Sequence, residues 1–247
     1  MTSSYKWHQF SKRKKDNYFS KQLKSTKYST IEFFKFLDKN KLTKKKIIDV
    51  GCGNGANLLY LAKKYKTKNN IFGIDLNPHL IQIAKQNTGG ISNLSFSKEN
   101  FLKIKTKHIN KFEGAISLQT IGIMKDYLPY MKQIIKLNTD FIAISGIFWE
   151  GLIDFEIKVK KLKNDSYKRE IDHFDYYNIY SLKNYISYMK KNGYKKNIIK
   201  KFLIPKKLIH KNKNEMGTYT MKVDKSLLQF SGPIMMNWYF VLSMKKD

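Results

Sequence analysis

The chain has 247 residues, 42% of them hydrophobic, with 48 lysines and arginines against 19 acids and a formal charge of +29. Its one cysteine, Cys52, excludes an internal disulfide and a cysteine metal cluster, and no apolar run reaches the ~20 residues of a membrane span. The basic first residues lack an apolar stretch and a small-residue cleavage site, so no secretory signal is read and a cytoplasmic protein is expected.

One domain is expected over residues 1–247, beginning with a basic arm and helix over 1–40. Ser29-x-x-Glu32 has the form of a capping box, and Ile31, Phe33, Phe34, Phe36 and Leu37 follow as an apolar set. The cofactor core is placed at 41–147. Ile47 to Val50 reads as a strand running into a glycine cluster, and Leu58, Leu59, Leu61, Ala62 and Tyr65 recur at helical spacing. The unit repeats with Ile71 to Asp75 as a strand and Asn77-Pro78 opening a helix, Asn as cap and Pro in the first turn. Two such units in succession mean a parallel sheet. Further strands are expected at Leu94 to Ser97, Gly114 to Leu118 and Phe141 to Ile147, with a helix around Leu128 to Leu137.

From residue 148 onward the pattern changes, and this part is assigned to substrate-side additions and the last strands. Leu152 to Val159 alternates like an exposed strand, and Lys160 to Asp175 reads as a charged connection. Ser181 caps a helix whose Leu182, Tyr185, Ile186 and Met189 share a face, with Gly193 at its C-terminal stop. Asn197 to Ile204, Thr218 to Val223, Leu227 to Ser231 and Trp238 to Ser243 read as strands, the middle two forming a hairpin at Asp224-Lys225.

Glycines at 51, 53 and 55 let the chain turn sharply out of the first strand and bring bare backbone against a ligand. Such a loop also serves dinucleotides, so the flanking acids decide. Asp49, at the strand end, would repel a pyrophosphate and attract the ammonium of an amino-acid-bearing cofactor. Asp75 ends the second strand about twenty residues beyond the loop, where a carboxylate accepts hydrogen bonds from both ribose hydroxyls. Together these residues resemble the first two motifs of the class I S-adenosylmethionine-dependent methyltransferases, over roughly residues 30–147. The resemblance implies a Rossmann-like, doubly wound α/β fold. Its mostly parallel sheet would have seven strands, with an antiparallel C-terminal strand and an added C-terminal hairpin. It implies S-adenosylmethionine as cofactor, held by Asp49, Gly51, Cys52, Gly53, Asn54, Gly55, Asn57, Asp75 and Leu76. It also implies a contact from the position after the third strand to the adenine, where Asn100 stands in place of the usual acid and Phe101 packs on the ring. Leu118 and Gln119 fall where that family's backbone passes the reacting methyl.

The segment after the fourth strand lacks the Asn-Pro-Pro-aromatic pattern that family analogy ties to base or glutamine amides, and no cysteine is available for the covalent route to pyrimidine carbon-5. Aromatic and polar residues alternate around Trp149, Tyr176, Tyr177, Tyr180 and Gln229, which suits stacking on and bonding to a sugar. These stretches look similar to methyltransferases of bacterial surface-polysaccharide clusters. A sugar hydroxyl needs a general base, for which His173, between Asp172 and Asp175, is the first candidate and Glu150 the second. His8, His79, His108 and His210 carry no supporting pattern. No metal site is expected.

The excess charge is almost wholly lysine, Arg13 and Arg169 being the only arginines, and it accompanies abundant Asn, Ile, Tyr and Phe, the composition of an AT-rich genome. A small acceptor, including acidic or nucleotide-linked ones, is therefore favoured over nucleic acid. RNA methylation, and an inactive fold kept as a cofactor sensor, are the alternatives.

Overall fold

The computed structural model describes residues 22–162, 171–204, 218–231 and 234–245; the N-terminal arm, residues 1–21, lies outside them. Helix α1 (Tyr28–Lys39) leads into β1 (Ile47–Val50), followed by α2 (Ala56–Tyr65), β2 (Ile71–Asp75), α3 (Pro78–Asn87) and β3 (Leu94–Lys98). Strand β4 (Gly114–Leu118), a 3-10 turn at Ile121–Ile123, α4 (Tyr127–Lys136) and β5 (Phe141–Trp149) complete the first part. Then come β6 (Lys158–Leu162), β7 (Ile171–Tyr176), β8 (Tyr180–Ser181), α5 (Leu182–Lys191), β9 (Lys196–Phe202), β10 (Thr218–Val223), β11 (Ser226–Ser231) and β12 (Trp238–Met244).

The main sheet runs β3-β2-β1-β4-β5-β12-β9, with the two-residue β8 pairing beside β5 as an eighth strand. Strands β1 to β5 pair in parallel, and β12 is antiparallel to both β5 and β9. This is the Rossmann-like sheet expected from the sequence, and β10 and β11 form the expected separate hairpin. Strands β1 and β4 are buried along their whole length, which is why they read as unbroken apolar runs rather than alternation. One sheet face packs Phe33, Leu37, Leu58, Leu61 and Ile81 from α1, α2 and α3. The other packs Tyr130, Met131, Tyr185 and Met189 from α4 and α5. The order of strands reverses between β1 and β4, and such a switch point leaves a crevice at the carboxyl ends of the strands.

Local signals hold where side chains close on their own backbone. The Asn77 side chain accepts from the amides of His79 and Leu80 with Pro78 in the first turn, Ser181 accepts from Asn184, and Gly193 has φ +90°. Three readings need correction. The capping box does not form: Lys27 is the N-cap of α1, without a side-chain cap bond, and Glu32 instead pairs with Lys35 at 2.9 Å and Lys200 at 3.2 Å. The strand read from Leu152 begins only at Lys158, and Leu152 and Ile153 before it are exposed. The charged connection contains β7, which pairs antiparallel with β6 as a ribbon off the main sheet. Among the described residues strand β9 pairs with β12 alone in the main sheet, and its Lys196, Lys200 and Lys201 account for some of the excess charge, since lysine on an edge strand discourages further pairing.

Candidate cofactor site and active site

The crevice at the switch point is lined by Gly51, Cys52, Gly53, Asn54 and Asn57 from the loop after β1, and by Asp75 and Leu76 at the end of β2. Phe101, Leu118 and Gln119 complete its wall. Ten of the thirteen residues assigned to the cofactor from sequence thus meet in one cavity. The other three are outside its lining. Gly55 is the left-handed N-cap of α2, and a Cβ there would lie 2.7 Å from the Phe96 ring, so it permits packing. Asn100 turns to its own backbone, accepting from the amide of Leu102 at 2.9 Å. Asp49 is fully buried beneath the loop.

Gly51 shows why the loop excludes side chains. Its φ is +84°, and a Cβ would fall 2.7 Å from Thr120 Oγ1 on the opposite wall. Asp75 shapes the loop as well as facing the cavity: one carboxylate oxygen accepts from the Gly53 amide at 2.9 Å and the other from the Asn77 amide at 2.8 Å. Each oxygen keeps a lone pair for a ribose hydroxyl. Burial raises the Asp75 pKa against these backbone bonds. Tyr130, buried on α4, ties the neighbouring strand ends together, donating to the Val50 carbonyl at 2.8 Å with Ser117 Oγ 2.7 Å from the same hydroxyl.

Asp49 has no such support. Among the described residues neither of its oxygens has a hydrogen-bond partner, and burial, with the charge of Asp75, pushes its pKa up to about 8. A buried carboxylate without a partner is costly unless a cation completes it. The ammonium of S-adenosylmethionine is such a cation, so this orphan fits the cofactor. Asp49 is protonated below about pH 8 and must ionise to pair, so binding of S-adenosylhomocysteine, which has the same amino-acid moiety, will release a proton from it at pH 7 and little above pH 9. Calorimetry in buffers of different ionisation enthalpy reads this release; proton uptake at pH 7 would contradict it.

Helix α1 and the residues just before it contribute what the sequence did not reveal. Gln22, Lys27 and Thr30 also line the cavity. Gln119, held at φ +60°, receives a bond from Lys27 Nζ at 3.4 Å and donates to Ser29 Oγ at 3.2 Å. Thr30 Oγ1 donates to Asn57 Oδ1 at 2.7 Å. These bonds close α1 over the cleft across 27 to 92 residues of sequence, which leaves no local pattern to read. A second unpredicted pair is Glu99 with His108, both buried, Nε2 lying 3.1 Å from each carboxylate oxygen. Burial works to raise the Glu99 pKa, but His108 and Lys105 hold it below the usual value. His108 packs near Phe72 and Phe112, and neither member lines the cavity.

One 3-10 turn away, a second cleft is lined by Tyr127, Phe155, Tyr180 and Tyr188 with Asp126, Asp154, Asn178 and Asn184. Tyr180 is buried in its wall, its hydroxyl donating to the Met124 carbonyl at 2.6 Å. The Trp149 ring stands edge-on to Phe155, 6.3 Å between centroids, and is 42% exposed. Beside it, Glu150 accepts from the Tyr239 hydroxyl at 2.5 Å and lies 3.8 Å from Lys201 Nζ. Tyr176 and Tyr177 are half-buried at the end of β7. Gln229 is buried in the β10–β11 hairpin and accepts from the Ile204 amide at 3.1 Å. His173 lies in β7 opposite Lys161; its side chain is outside the described residues. No group of three or more His, Cys, Asp or Glu among the described residues could hold a metal ion.

Residues 41–194 match the profile of a family described as a methyltransferase domain. The fold resembles the N-terminal domain of EvdMO1 with S-adenosylhomocysteine bound, at a TM-score of 0.58 and 10% identity over 90% of this chain and 82% of that one. It also resembles magnesium protoporphyrin IX methyltransferase from Synechocystis with the same ligand, at 0.52 and 10% identity over 88% and 82%. A possible histamine N-methyltransferase from Thermotoga maritima matches at 0.52 and 12% identity over 93% and 95%. At such identities these likenesses speak for the fold and not for an acceptor.

Proposed function

We propose O-methylation of a small, sugar-like acceptor as the reaction of this chain, which belongs to the methyltransferase-domain family and is a class I S-adenosylmethionine-dependent methyltransferase. The observation that carries the acceptor reading is the second cleft, where aromatic rings and polar groups alternate within one 3-10 turn of the cofactor cavity. Ring faces suit the apolar side of a sugar, and Asp126, Asp154 and Asn184 can bond its hydroxyls.

The bound cofactor supplies an electrophilic methyl group on a sulfonium. The protein's part is to hold the acceptor in line with it and to keep water out. Asp49 would hold the ammonium, Asp75 the ribose and Phe101 the adenine ring, with Leu118 and Gln119 beside the methyl group. Because a thioether would leave as a neutral group, no charge has to be stabilised on the leaving side, and the chemical demand falls on removing the acceptor proton. Glu150 is the base assigned here: its exposed carboxylate, outside the linings of both clefts, is oriented at the end of β5 by the Tyr239 hydroxyl and Lys201. His173 is retained as the alternative from sequence.

Replacing Glu150 by Gln keeps the shape and removes the base. It should lower kcat by roughly 100-fold or more, with cofactor affinity unchanged. Steady-state kinetics with labelled methyl donor and a panel of neutral, acidic and nucleotide-linked sugars measures both. The charge of +29 favours RNA as the second reading, and methyl transfer to RNA with none to any sugar would replace the present one.

A further inference from the structure

We infer that the β10–β11 hairpin is a docking element for an anionic lipid surface. This goes beyond the acceptor reading and does not depend on it.

The hairpin stands off the main sheet as its own two-stranded ribbon. Its register, with Tyr219 opposite Phe230, Met221 opposite Leu228 and Val223 opposite Ser226, puts these residues on one face, since alternate residues share a face. Tyr219 and Phe230 stack at 5.0 Å. Toward the tip the apolar residues come into solvent on both faces: Met221 is 49% exposed and Val223 45% on this face, and Leu227, opposite Lys222, is 40% exposed on the other. Leu203, at the end of β9, and Met235, just before β12, are also exposed. Strand β9 runs parallel to β5, so both ends lie at the carboxyl edge of the sheet, where the cofactor cleft opens.

Charge selects the occupant. Lys222 and Lys225 bracket the tip with a single acid, Asp224, between them. Aliphatic side chains set among lysines match a bilayer, which offers hydrocarbon beneath anionic headgroups. RNA would reward aromatic platforms and arginine in place of Met, Val and Leu. The loop after β5 also exposes Leu152 and Ile153, but it carries Glu150, Asp154 and Glu156, so the docking face is confined to the hairpin. No helix among the described residues is long and apolar enough to cross a membrane, so the contact is peripheral.

The test is sedimentation of the full chain with vesicles of phosphatidylcholine alone or with 30% phosphatidylserine. The parent should bind the anionic vesicles, release as salt rises, and ignore the neutral ones. The triple variant Met221→Ser, Val223→Ser, Leu227→Ser, in which charge is unchanged, should bind at least tenfold more weakly. Lys222→Gln with Lys225→Gln should bind more weakly and lose part of the salt dependence. Calorimetry with S-adenosylhomocysteine should give the parent affinity for both variants, showing that each is folded. A parent that ignores anionic vesicles would overturn the inference. So would a serine variant that binds as well as the parent, which would reduce the contact to adsorption of a basic protein. A parent dimer that the serine variant dissolves would assign the hairpin to a second copy of the chain instead.

Discussion

Asp49→Asn will weaken S-adenosylmethionine binding by at least about thirtyfold while making the cofactor-free protein more heat-stable at alkaline pH. The first effect follows from removing one partner of a buried charge pair, which costs roughly 2–5 kcal/mol. The second follows from the carboxylate being an orphan until the cofactor arrives. Its pKa in the fold, about 8, lies above the unfolded value of about 3.9. The stability it allows is therefore complete below about pH 4 and is lost as pH rises to 8. Asn does not titrate, so the variant escapes this loss, which reaches about 1.4 kcal/mol per pH unit at most. For a chain of this size each kcal/mol moves Tm by about 2–4 °C. Thermal melts at pH 5 and pH 8 should show the difference in Tm, variant minus parent, growing with pH. A variant less stable than the parent at pH 8 would mean that Asp49 has a structural partner.

Asp75→Ala will lose cofactor binding more completely, by roughly 100-fold or more, and will also destabilise the protein. Two charge-assisted hydrogen bonds to ribose hydroxyls, each worth about 1.5–3 kcal/mol, disappear with the carboxylate. The amides of Gly53 and Asn77 lose their acceptor in the same step, which costs on the order of 1–2 kcal/mol and loosens the loop. Two acids in one site thus predict opposite signs for stability and the same sign for binding. Equal destabilisation by both substitutions, read from melts at pH 8, would contradict this division of roles.

What could be read from the sequence was whatever is encoded within a few residues. The glycine loop, Asp75 and the Asn77-Pro78 start are local devices, and the cavity gathers most of the loop residues as read. The α1 contacts were invisible because Gln119 meets Lys27 and Ser29 across about ninety residues. The Ser29-x-x-Glu32 spacing predicts a cap, yet tertiary partners claim both side chains. His108 was set aside for lack of context, and its context, Glu99, arrives only when the chain turns back after β3. Residues 160–175, which hold most of β6 and β7, read as a connection because the ribbon lies off the main sheet and there lacks the apolar alternation that marks a half-buried strand. Asn100 illustrates a further limit: an amide at the family's acidic position can be drawn to a nearer backbone amide, here that of Leu102.

The central claim is that the loop between Asp49 and Asn57, with Asp75, binds an adenosyl amino-acid cofactor. Isothermal titration of ligand-free protein with S-adenosylhomocysteine and, separately, with NAD tests it most directly. One saturable site is expected for the first and no heat from the second; binding of NAD with silence toward S-adenosylhomocysteine would contradict the assignment.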